Sequence, residues 1–134
     1  MKNIFLSIFA VAALASCSTF SSSKSTSGSQ APLIGTSWEL SEEVNAETPT
    51  IVFDENRVSG NAGCNNYFSN DYSVNPIAGE FSANNVATTR KSCMNMSVET
   101  NFLSMLKQAN KYVVRGTTLE LYKDSILLLK FNKK

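Results

Sequence analysis

The stretch between residues 58 and 68 constrains the fold more than any other part of the chain, because turn-forming and strand-forming residues alternate within it. Gly60 and Gly63 can adopt positive φ or let another backbone approach closely. The pair Asn65–Asn66 tolerates left-handed geometry and can bond its own backbone. Tyr67–Phe68 then returns to strand-forming side chains. We therefore predict a strand that bulges or turns around the second glycine and then resumes.

This glycine-containing stretch is a poor candidate for a nucleotide site. A phosphate-binding loop needs a following helix and usually a lysine beside serine or threonine, whereas asparagines and aromatic residues follow here. The whole chain has 12 basic residues, 11 acidic residues and no histidine. Removal of a leader that contains Lys2 would make the two signs equal, so we expect no nucleic-acid partner.

The charges that remain are distributed unevenly along the sequence. Residues 31–89 contain one base, Arg57, and eight acids, whereas residues 90–134 contain nine bases and three acids. Either the two halves fold together and their charges cancel, which we favour, or the surface is bipolar, with a basic face toward anionic lipid or a partner.

The first 17 residues resemble the signal of a bacterial lipoprotein. Lys2 precedes an apolar run, Ile4–Ala15, which is too short to span a membrane and is typical of a signal peptide. The segment Leu14-Ala15-Ser16-Cys17 resembles the lipoprotein cleavage motif. This resemblance implies cleavage of residues 1–16 and lipidation of Cys17 at its sulfur and its new amine. The alternative is an ordinary secretory leader with an incidental cysteine.

A lipidated Cys17 would anchor the mature chain in a membrane. Three acyl chains, palmitate among them, exceed the two signals that stable attachment requires. Ser18 is not the aspartate that retains enterobacterial lipoproteins at the inner membrane, so the analogy favours the outer membrane; the absence of acids up to Gln30 favours its periplasmic face. Residues 17–30 contain seven serines and are too polar to bury a core, so we predict a tether of about 25 Å or less.

Residues 31–134 are long enough for one domain with a single core. Short runs of alternating polarity are separated in it by Gly, Pro, Asn and Asp. The predicted fold class is α+β and mostly β, with antiparallel strands forming a closed or nearly closed sheet or barrel and one packed α-helix. The predicted strands are Leu33–Leu40, Thr50–Phe53, Arg57–Gly60, Asp71–Val74, Glu80–Ala83, Val86–Thr89, Tyr112–Val114, Thr118–Tyr122 and Ile126–Phe131.

The helix and the last strand carry distinct patterns. Asn95 or Ser97 can cap the start of the helix, and Glu99 suits its positive first turn. The run Ile126–Phe131 is nearly continuously apolar, so we expect it to be buried on both faces. The helix has an apolar stripe at three- and four-residue steps, which consists of Val98, Phe102, Leu103, Leu106 and Ala109.

Cys64 and Cys93 are the two cysteines outside the leader. In an oxidising compartment an even pair favours a disulfide, which would enclose about 30 residues and contribute about 3–4 kcal/mol. Buried free thiols are the second interpretation, and a reactive pair is the third because the Cys-x-x-Cys spacing is missing. No metal site is expected, since the chain has no histidine and two thiolates supply only half of a tetrahedral zinc shell.

Five blocks of the sequence follow one another in a recognisable order. They are Gly35–Leu40, Ile51–Asp54 with Val58–Phe68, Ala87–Met94, Glu99–Leu106, and Tyr112 with Gly116–Leu121. Together they resemble the G-T-x-W-x-L opening, central block, T-x-M-A-C segment, E-x-x-F-L-x-x-L helix and closing hairpin of META/HslJ-like domains, with Lys91-Ser92 where M-A is usual. The resemblance implies a small β-rich domain of bacterial envelope and secreted proteins. It also implies links to heat shock and antibiotic tolerance, a fold similar to secretion pilotin lipoproteins, and no established enzymatic activity.

Composition gives little support to an enzyme. Histidine, the usual general base near neutral pH, is absent, and no serine or cysteine has an obvious base partner. A carboxylate pair could form from Asp54, Asp71 and Glu80, although each is better explained as a solvated strand or turn residue. We therefore expect no catalytic residues and no cofactor.

The first functional hypothesis is a membrane-anchored module for protein binding, assembly or envelope stress, with an envelope protein as its client. The second is a binder of an apolar small molecule, a lipid or an antibiotic, in a cavity lined by Trp38, Phe53, Leu121 and Leu128. Exposed aromatic and arginine side chains suit a binding surface, although core packing of the aromatic pair is favoured. The candidate surface consists of Asn65, Asn66, Tyr67, Phe68, Thr88, Thr89 and Arg90.

Overall fold

The computed structural model describes residues 29–134, so the predicted signal peptide, Cys17 and most of the predicted tether lie outside the described residues. Ten strands and one helix, α1, follow one another in this part of the chain. They are β1 Thr36–Leu40, β2 Thr50–Asp54, β3 Arg57–Asn61, β4 Asn66–Ser69, β5 Asp71–Asn75, β6 Glu80–Asn84, β7 Ala87–Thr88, α1 Met96–Gln108, β8 Lys111–Arg115, β9 Thr118–Lys123 and β10 Ile126–Lys133.

The ten strands form one antiparallel sheet in the order β5-β6-β8-β9-β10-β1-β2-β3-β4-β7. A mostly β fold with one helix is therefore confirmed. The sheet is curled into a half-barrel but remains open, so the prediction of a closed or nearly closed barrel is wrong. Its two outer strands explain this, because β7 has only two residues and no backbone ladder joins it to β5 within residues 29–134.

The curl of the sheet follows from a single connecting residue. Asn70 alone joins β4 to β5, although these strands stand near opposite ends of the strand order. The two edges must therefore approach one another. Two side chains bridge the gap without forming a ladder: the Tyr72 hydroxyl donates to the Asp54 carbonyl, and the Ser69 hydroxyl donates to the Asn84 carbonyl.

The predicted turn around Gly63 is confirmed, and it reverses the chain between β3 and β4. The two strands pair antiparallel, with Asn61 opposite Asn66. Gly63 has a φ of +108°, and a Cβ there would lie 2.8 Å from Cγ1 of Val98. Gly60 serves the other predicted purpose, close backbone approach, because a Cβ there would overlap the Thr50 carbonyl oxygen.

The core lies between the concave face of the sheet and α1, and aromatic rings fill it. The rings of Tyr67 and Phe102 are 5.6 Å apart, and those of Phe102 and Phe131 are 6.2 Å apart. On the β2 side, the Phe53 and Phe81 rings are 6.3 Å apart. Tilted and edge-on contacts at these distances are favourable for aromatic pairs.

Helix α1 buries most of its predicted stripe, and Val98 is half-buried. Asn95 occupies the N-cap position as predicted, but its side chain makes no cap hydrogen bond. The Asn95 amide instead donates to the carbonyl of Asn45 at 3.1 Å, which ties the β1–β2 loop to the helix start. Within residues 29–134, no helix has the length and apolar character needed to cross a membrane.

The expectation that Ile126–Phe131 is buried on both faces is wrong. The pairing of β10 with β9 shifts between Leu127, opposite Tyr122, and Leu129, opposite Leu121. Directly paired residues share a face of the sheet. A bulge inserts one extra residue into a strand, so the residues after it point to the face opposite to the one that strict alternation would give. Leu129 therefore enters the core with Leu121, whereas Leu127 faces outward with Tyr122 and remains 46% exposed.

Candidate functional site

The structure divides the predicted binding surface into a buried group and an exposed group. Asn65 and Tyr67 are buried, so neither presents its side chain to a partner. The exposed group lies along β4, the edge strand β7 and the segment that follows β7. It consists of Asn66, Phe68, Thr88, Thr89 and Arg90.

Asn65 is the centre of a buried hydrogen-bond cluster. Its backbone N–H donates to Oε2 of Glu99 at 2.8 Å, and its Nδ2 donates to Oε2 and Oε1 at 3.0 and 3.2 Å. Its Oδ1 accepts from the Thr89 hydroxyl at 2.8 Å and from the Lys91 N–H at 2.7 Å. Nδ2 also donates to the Lys91 carbonyl at 3.0 Å. Asn65 therefore joins the β3–β4 turn, α1 and the segment after β7, and has no polar atom left for a partner.

Glu99 is the acceptor of this cluster and is only 7% exposed. The ion pairs among residues 29–134 are Arg115–Glu120 and Lys134–Glu39, so Glu99 faces no cation in the described part of the chain. Its charge is stabilised by the donors of Asn65 and by the positive first turn of α1. The sequence indicates only the helical position of Glu99 and not this contact, because its partner Asn65 lies 34 residues away.

Tyr67 and Phe68 point in opposite directions, as neighbours on a strand do. The Tyr67 hydroxyl donates to the Thr50 carbonyl at 2.8 Å, and burial raises the pKa of this phenol well above its ordinary value. Phe68 is 39% exposed on the convex face, with the Arg57 guanidinium 4.7 Å above its ring. Core packing therefore holds for Tyr67 and not for Phe68.

Cys64 and Cys93 form a disulfide, with their Cα atoms 6.1 Å apart. Cys64 is buried in the β3–β4 turn, whereas Cys93 is exposed in the segment between β7 and α1. The bond holds this segment at a second point, beside the hydrogen bonds of Asn65. Both constraints act at the start of α1.

The three carboxylates considered for catalysis do not form a pair. Asp54, Asp71 and Glu80 are all exposed. Asp71 accepts from the Asn85 amide at 2.8 Å, and Glu80 accepts from the Asn75 amide at 3.3 Å. Among residues 29–134 no cluster of three or more His, Cys, Asp or Glu side chains could hold a metal ion.

Within residues 29–134, three of the four side chains predicted to line a ligand cavity are fully packed in the core. Trp38, Phe53 and Leu121 are buried by neighbouring side chains and line none of the clefts described below. Leu128, the fourth predicted lining residue, is half-buried where β10 bulges, packs against the core and lines one of these clefts.

An apolar groove runs between α1, the β1–β2 loop and the start of β10. One part has a volume of about 250 Å³, and an adjoining part of about 210 Å³ shares Leu40, Glu42 and Leu129 with it. Glu42 stands on one rim and Lys130 on the other. We call this opening the helix groove; its apolar lining consists of Leu40, Val44, Val98, Phe102, Met105, Leu127, Leu128 and Leu129.

The helix groove is not evident in the sequence, because three distant segments build it. The apolar character of the last strand was visible, but it predicted burial rather than a groove wall. One feature of the sequence could have indicated the groove. Ile126–Leu129 are four consecutive apolar residues, and a strand with one buried face can bury only about half of them. Ile126 is 65% exposed beside the groove, which leaves apolar surface uncovered.

Comparisons with known proteins agree on the fold. A family model for the META domain matches residues 31–134. A solution NMR structure of a protein from Burkholderia xenovorans is similar, with a TM-score of 0.63 and 22% identity over 76% of this chain and 83% of that one. A second NMR structure has a TM-score of 0.59 and 23% identity, over 75% and 90% of the two chains. No curated protein matches the chain.

Proposed function

This chain belongs to the META domain family, and from that premise we propose that it is a membrane-anchored lipoprotein of the bacterial envelope whose domain binds a protein client without catalysis. Cys17 would carry the lipid. The proposed location is the outer membrane, on its periplasmic side. The client would be an envelope protein that presents an apolar segment, during assembly or under envelope stress.

The observation that carries this proposal is the uncovered apolar surface at the helix groove. Leu127 lines the groove and remains exposed, as does Ile126 beside it, and contiguous exposed apolar surface is typical of interaction sites. Met105 on the groove wall has the adaptable side chain that such surfaces favour. A client segment with apolar side chains spaced along one face would fit between α1 and β10.

The charges at the rim add orientation to the proposed contact. Glu42 lies on the loop side, within the acidic β1–β2 loop, and Lys130 lies on the β10 side. A bound segment with a basic residue toward the loop and an acidic residue toward β10 would be favoured over the reverse arrangement.

The same groove supports a second candidate function, the binding of a lipid or an apolar antibiotic. Its lining combines apolar side chains with polar ones in similar proportion, and the combined parts have the size of small-molecule sites. The ligand would lie between α1 and the sheet edge of the groove, not inside the sheet as the sequence predicts.

Photo-crosslinking from the groove tests the docking proposal. A photoreactive residue replaces Met105 in the full chain, expressed in a bacterial host, and Ser104 serves as the matched control because it is exposed and outside the groove. We expect discrete protein adducts at Met105 alone, and we expect Leu127→Asp to weaken them. Equal adducts at both positions, or adducts that Leu127→Asp leaves unchanged, would overturn docking there. Adducts of lipid or drug mass would favour the second candidate.

The anchor is tested separately by mass spectrometry of the N-terminal peptide from membrane extracts. We expect Cys17 to carry diacylglyceryl and amide-linked acyl groups. We expect the Cys17→Ser variant either to appear outside the membrane fraction or to retain residues 1–16. A cleaved chain with an unmodified Cys17 would contradict the anchor. Membrane fractionation, with protease added to intact cells, tests the outer-membrane and periplasmic location.

A further inference from the structure

The two cysteines of the disulfide differ in their exposure. Cys64 is buried in the β3–β4 turn, whereas Cys93 is exposed in the segment before α1. Both line an open cleft of about 660 Å³ between that segment and the β1–β2 loop. Thiol–disulfide exchange begins when a thiolate attacks one of the two sulfurs, and access helps to decide which one is attacked. The structure therefore favours attack at Cys93, with Cys64 as the leaving group.

The surroundings of Cys64 suit a sulfur that leaves. The Nδ2 of Asn65 lies 3.7 Å from the Cys64 Sγ and donates toward it. A donor at this place stabilises the departing thiolate, and exchange is faster when the leaving thiolate is more stable. The Lys91 carbonyl oxygen lies 3.8 Å from the same sulfur and can accept from the thiol once the sulfur has gained a proton.

Met94 offers an apolar contact beside the attacked sulfur. It follows Cys93 in sequence, lines the same cleft and is fully exposed. Methionine side chains adapt to partners of different shape. Among residues 29–134 the charged residues that line the cleft are Glu47 and Lys91, one of each sign. Apolar contact, rather than charge, would therefore hold a protein that brings the attacking thiolate.

A short path connects the disulfide to the helix groove. Asn95 lies two residues after Cys93, and its amide donates to the Asn45 carbonyl at 3.1 Å. Asn45 lines both the cleft at the disulfide and the helix groove. Ser97, two residues further along the chain, also lines the groove. The disulfide therefore holds the segment that positions one wall of the groove, the β1–β2 loop.

We propose that a dithiol protein opens the Cys64–Cys93 disulfide by attack at Cys93, and that the opening loosens the β1–β2 wall of the helix groove. The first thiolate of the partner forms a mixed disulfide with Cys93, while Cys64 leaves with the bonding electron pair and takes up a proton. The second thiolate of the partner then attacks the partner's own sulfur in the mixed disulfide, and Cys93 leaves in turn. Two electrons reduce the two cysteines, and the dithiol of the partner is oxidised to a disulfide.

The opening acts on a limited part of the domain. Asn65 still holds Lys91 through its side chain, so the β3–β4 turn keeps its contact with the segment after β7. Residues 92–95 and the loop that Asn95 contacts gain freedom. A client that binds the groove must then order this wall, and the ordering lowers its affinity. This consequence rests on the proposed function, which assigns client binding to the groove.

Trapping of the mixed disulfide tests the site of attack. The probe is a thioredoxin whose second active-site cysteine is replaced by serine, so that its adduct cannot resolve. The mature chain, residues 17–134, carries Cys17→Ser, which leaves Cys64 and Cys93 as its cysteines. We expect peptide mass spectrometry to find about tenfold more adduct at Cys93 than at Cys64 in the folded chain.

The same chain unfolded in urea is the matched control, and it should react at both sulfurs about equally because the fold no longer shields Cys64. Adduct mainly at Cys64, no adduct in the folded chain, or the same distribution in both states would overturn the exchange site.

Backbone NMR tests the link to the groove without any client. The isotope-labelled chain is compared before and after reduction by dithiothreitol. We expect the order parameters of Val44 and Asn45 to fall from about 0.85 toward about 0.6, whereas Val113 in β8 keeps its value. Unchanged values in the loop would overturn the link. An equal fall at Val113 would also overturn it, because reduction would then loosen the whole domain.

The cross-linking from Met105, repeated with dithiothreitol, separates this inference from the proposed function. We expect client adducts to decrease several-fold on reduction. The Cys64→Ala, Cys93→Ser variant should give the reduced level with or without the reductant. Adducts that reduction leaves unchanged would overturn the regulation of the groove. Absence of adducts in the oxidised chain, with loop order that still depends on the disulfide, would refute the proposed function alone.

Discussion

Asn65 holds Glu99 with both of its nitrogen donors, the backbone N–H at 2.8 Å and the side-chain Nδ2 at 3.0 Å from the same carboxylate oxygen. The contact joins the β3–β4 turn to the first turn of α1. Hydrogen bonds to a charged acceptor are stronger than neutral ones, and burial increases the effect. Asn65 therefore holds the start of α1 against the β3–β4 turn, together with the nearby disulfide.

Asn65→Ala should destabilise the domain by about 3 kcal/mol, because Glu99 and Lys91 would lose partners inside the protein. Urea unfolding followed by circular dichroism measures the free energy of unfolding. Asn66→Ala is the matched control, since Asn66 is exposed, and should change stability by less than about 0.5 kcal/mol. Equal effects of the two substitutions would contradict the role assigned to Asn65.

Gly63→Ala should destabilise the domain by about 2 kcal/mol or more, since strain from the positive φ adds to a collision with Val98. Gly116→Ala provides the comparison, because its φ is +60° and no heavy atom lies within 4 Å of the new Cβ. Gly116→Ala should lower the free energy of unfolding by only about 1 kcal/mol, which is the cost of placing alanine in the left-handed backbone conformation. The midpoints of thermal unfolding rank the two variants, and the reverse order would refute the contact with Val98.

Removal of the disulfide by Cys64→Ala with Cys93→Ser should lower the free energy of unfolding by about 3–4 kcal/mol in the chain-entropy model. Reduction of the native protein should lower it similarly, whereas reductant should have no effect on the double variant. Intact mass gives an independent check, because the native chain should weigh two hydrogens less than its reduced form. A native mass equal to the reduced mass would disprove the bond.

Alkaline pH should unfold the protein in part through Tyr67. Burial raises its pKa above the ordinary value of 10.0, so this tyrosine binds its proton more tightly in the folded than in the unfolded chain. Its contribution to stability is complete below pH 10 and falls as the pH rises from there toward the folded pKa.

Tyr67→Phe should make that alkaline decline shallower. At neutral pH it should lower stability by about 1 kcal/mol, because the hydrogen bond to Thr50 is lost. Unfolding measured at several pH values, together with tyrosinate absorbance, tests both effects. A decline as steep in the variant as in the native chain would show that Tyr67 does not contribute to it.

Local patterns predicted most strands and the helix, because strand alternation and helical periodicity depend on residues that are close together in the sequence. Trp38 and Leu40 share the buried face of β1, as their spacing indicates. The open sheet was not predictable, since it depends on how far a two-residue β7 extends its edge. The outward turn of Leu127 was not predictable either, because a bulge at Leu128 is set by pairing with β9 rather than by the run of leucines itself.

The candidate sites show the same division. The pairing of Cys64 with Cys93 was the favoured interpretation because only two cysteines lie outside the predicted leader. The contact between Asn65 and Glu99 carries no signal in either segment. The helix groove is harder still, because Leu40, Phe102 and Leu129 come from three elements that meet only in the folded chain.

The neighbouring positions of β1 and β10 have a consequence for how the chain reaches this fold. Leu40 pairs with Phe131, so the middle of the sheet joins the first strand to the last. Contacts between residues so far apart in sequence close large loops and are typical of slow folding. A chain emerging from its N-terminus can form the β2–β3 hairpin early, but β1 waits for its second neighbour until the last strand has emerged. The domain is thus completed only after nearly all of its chain has been synthesised.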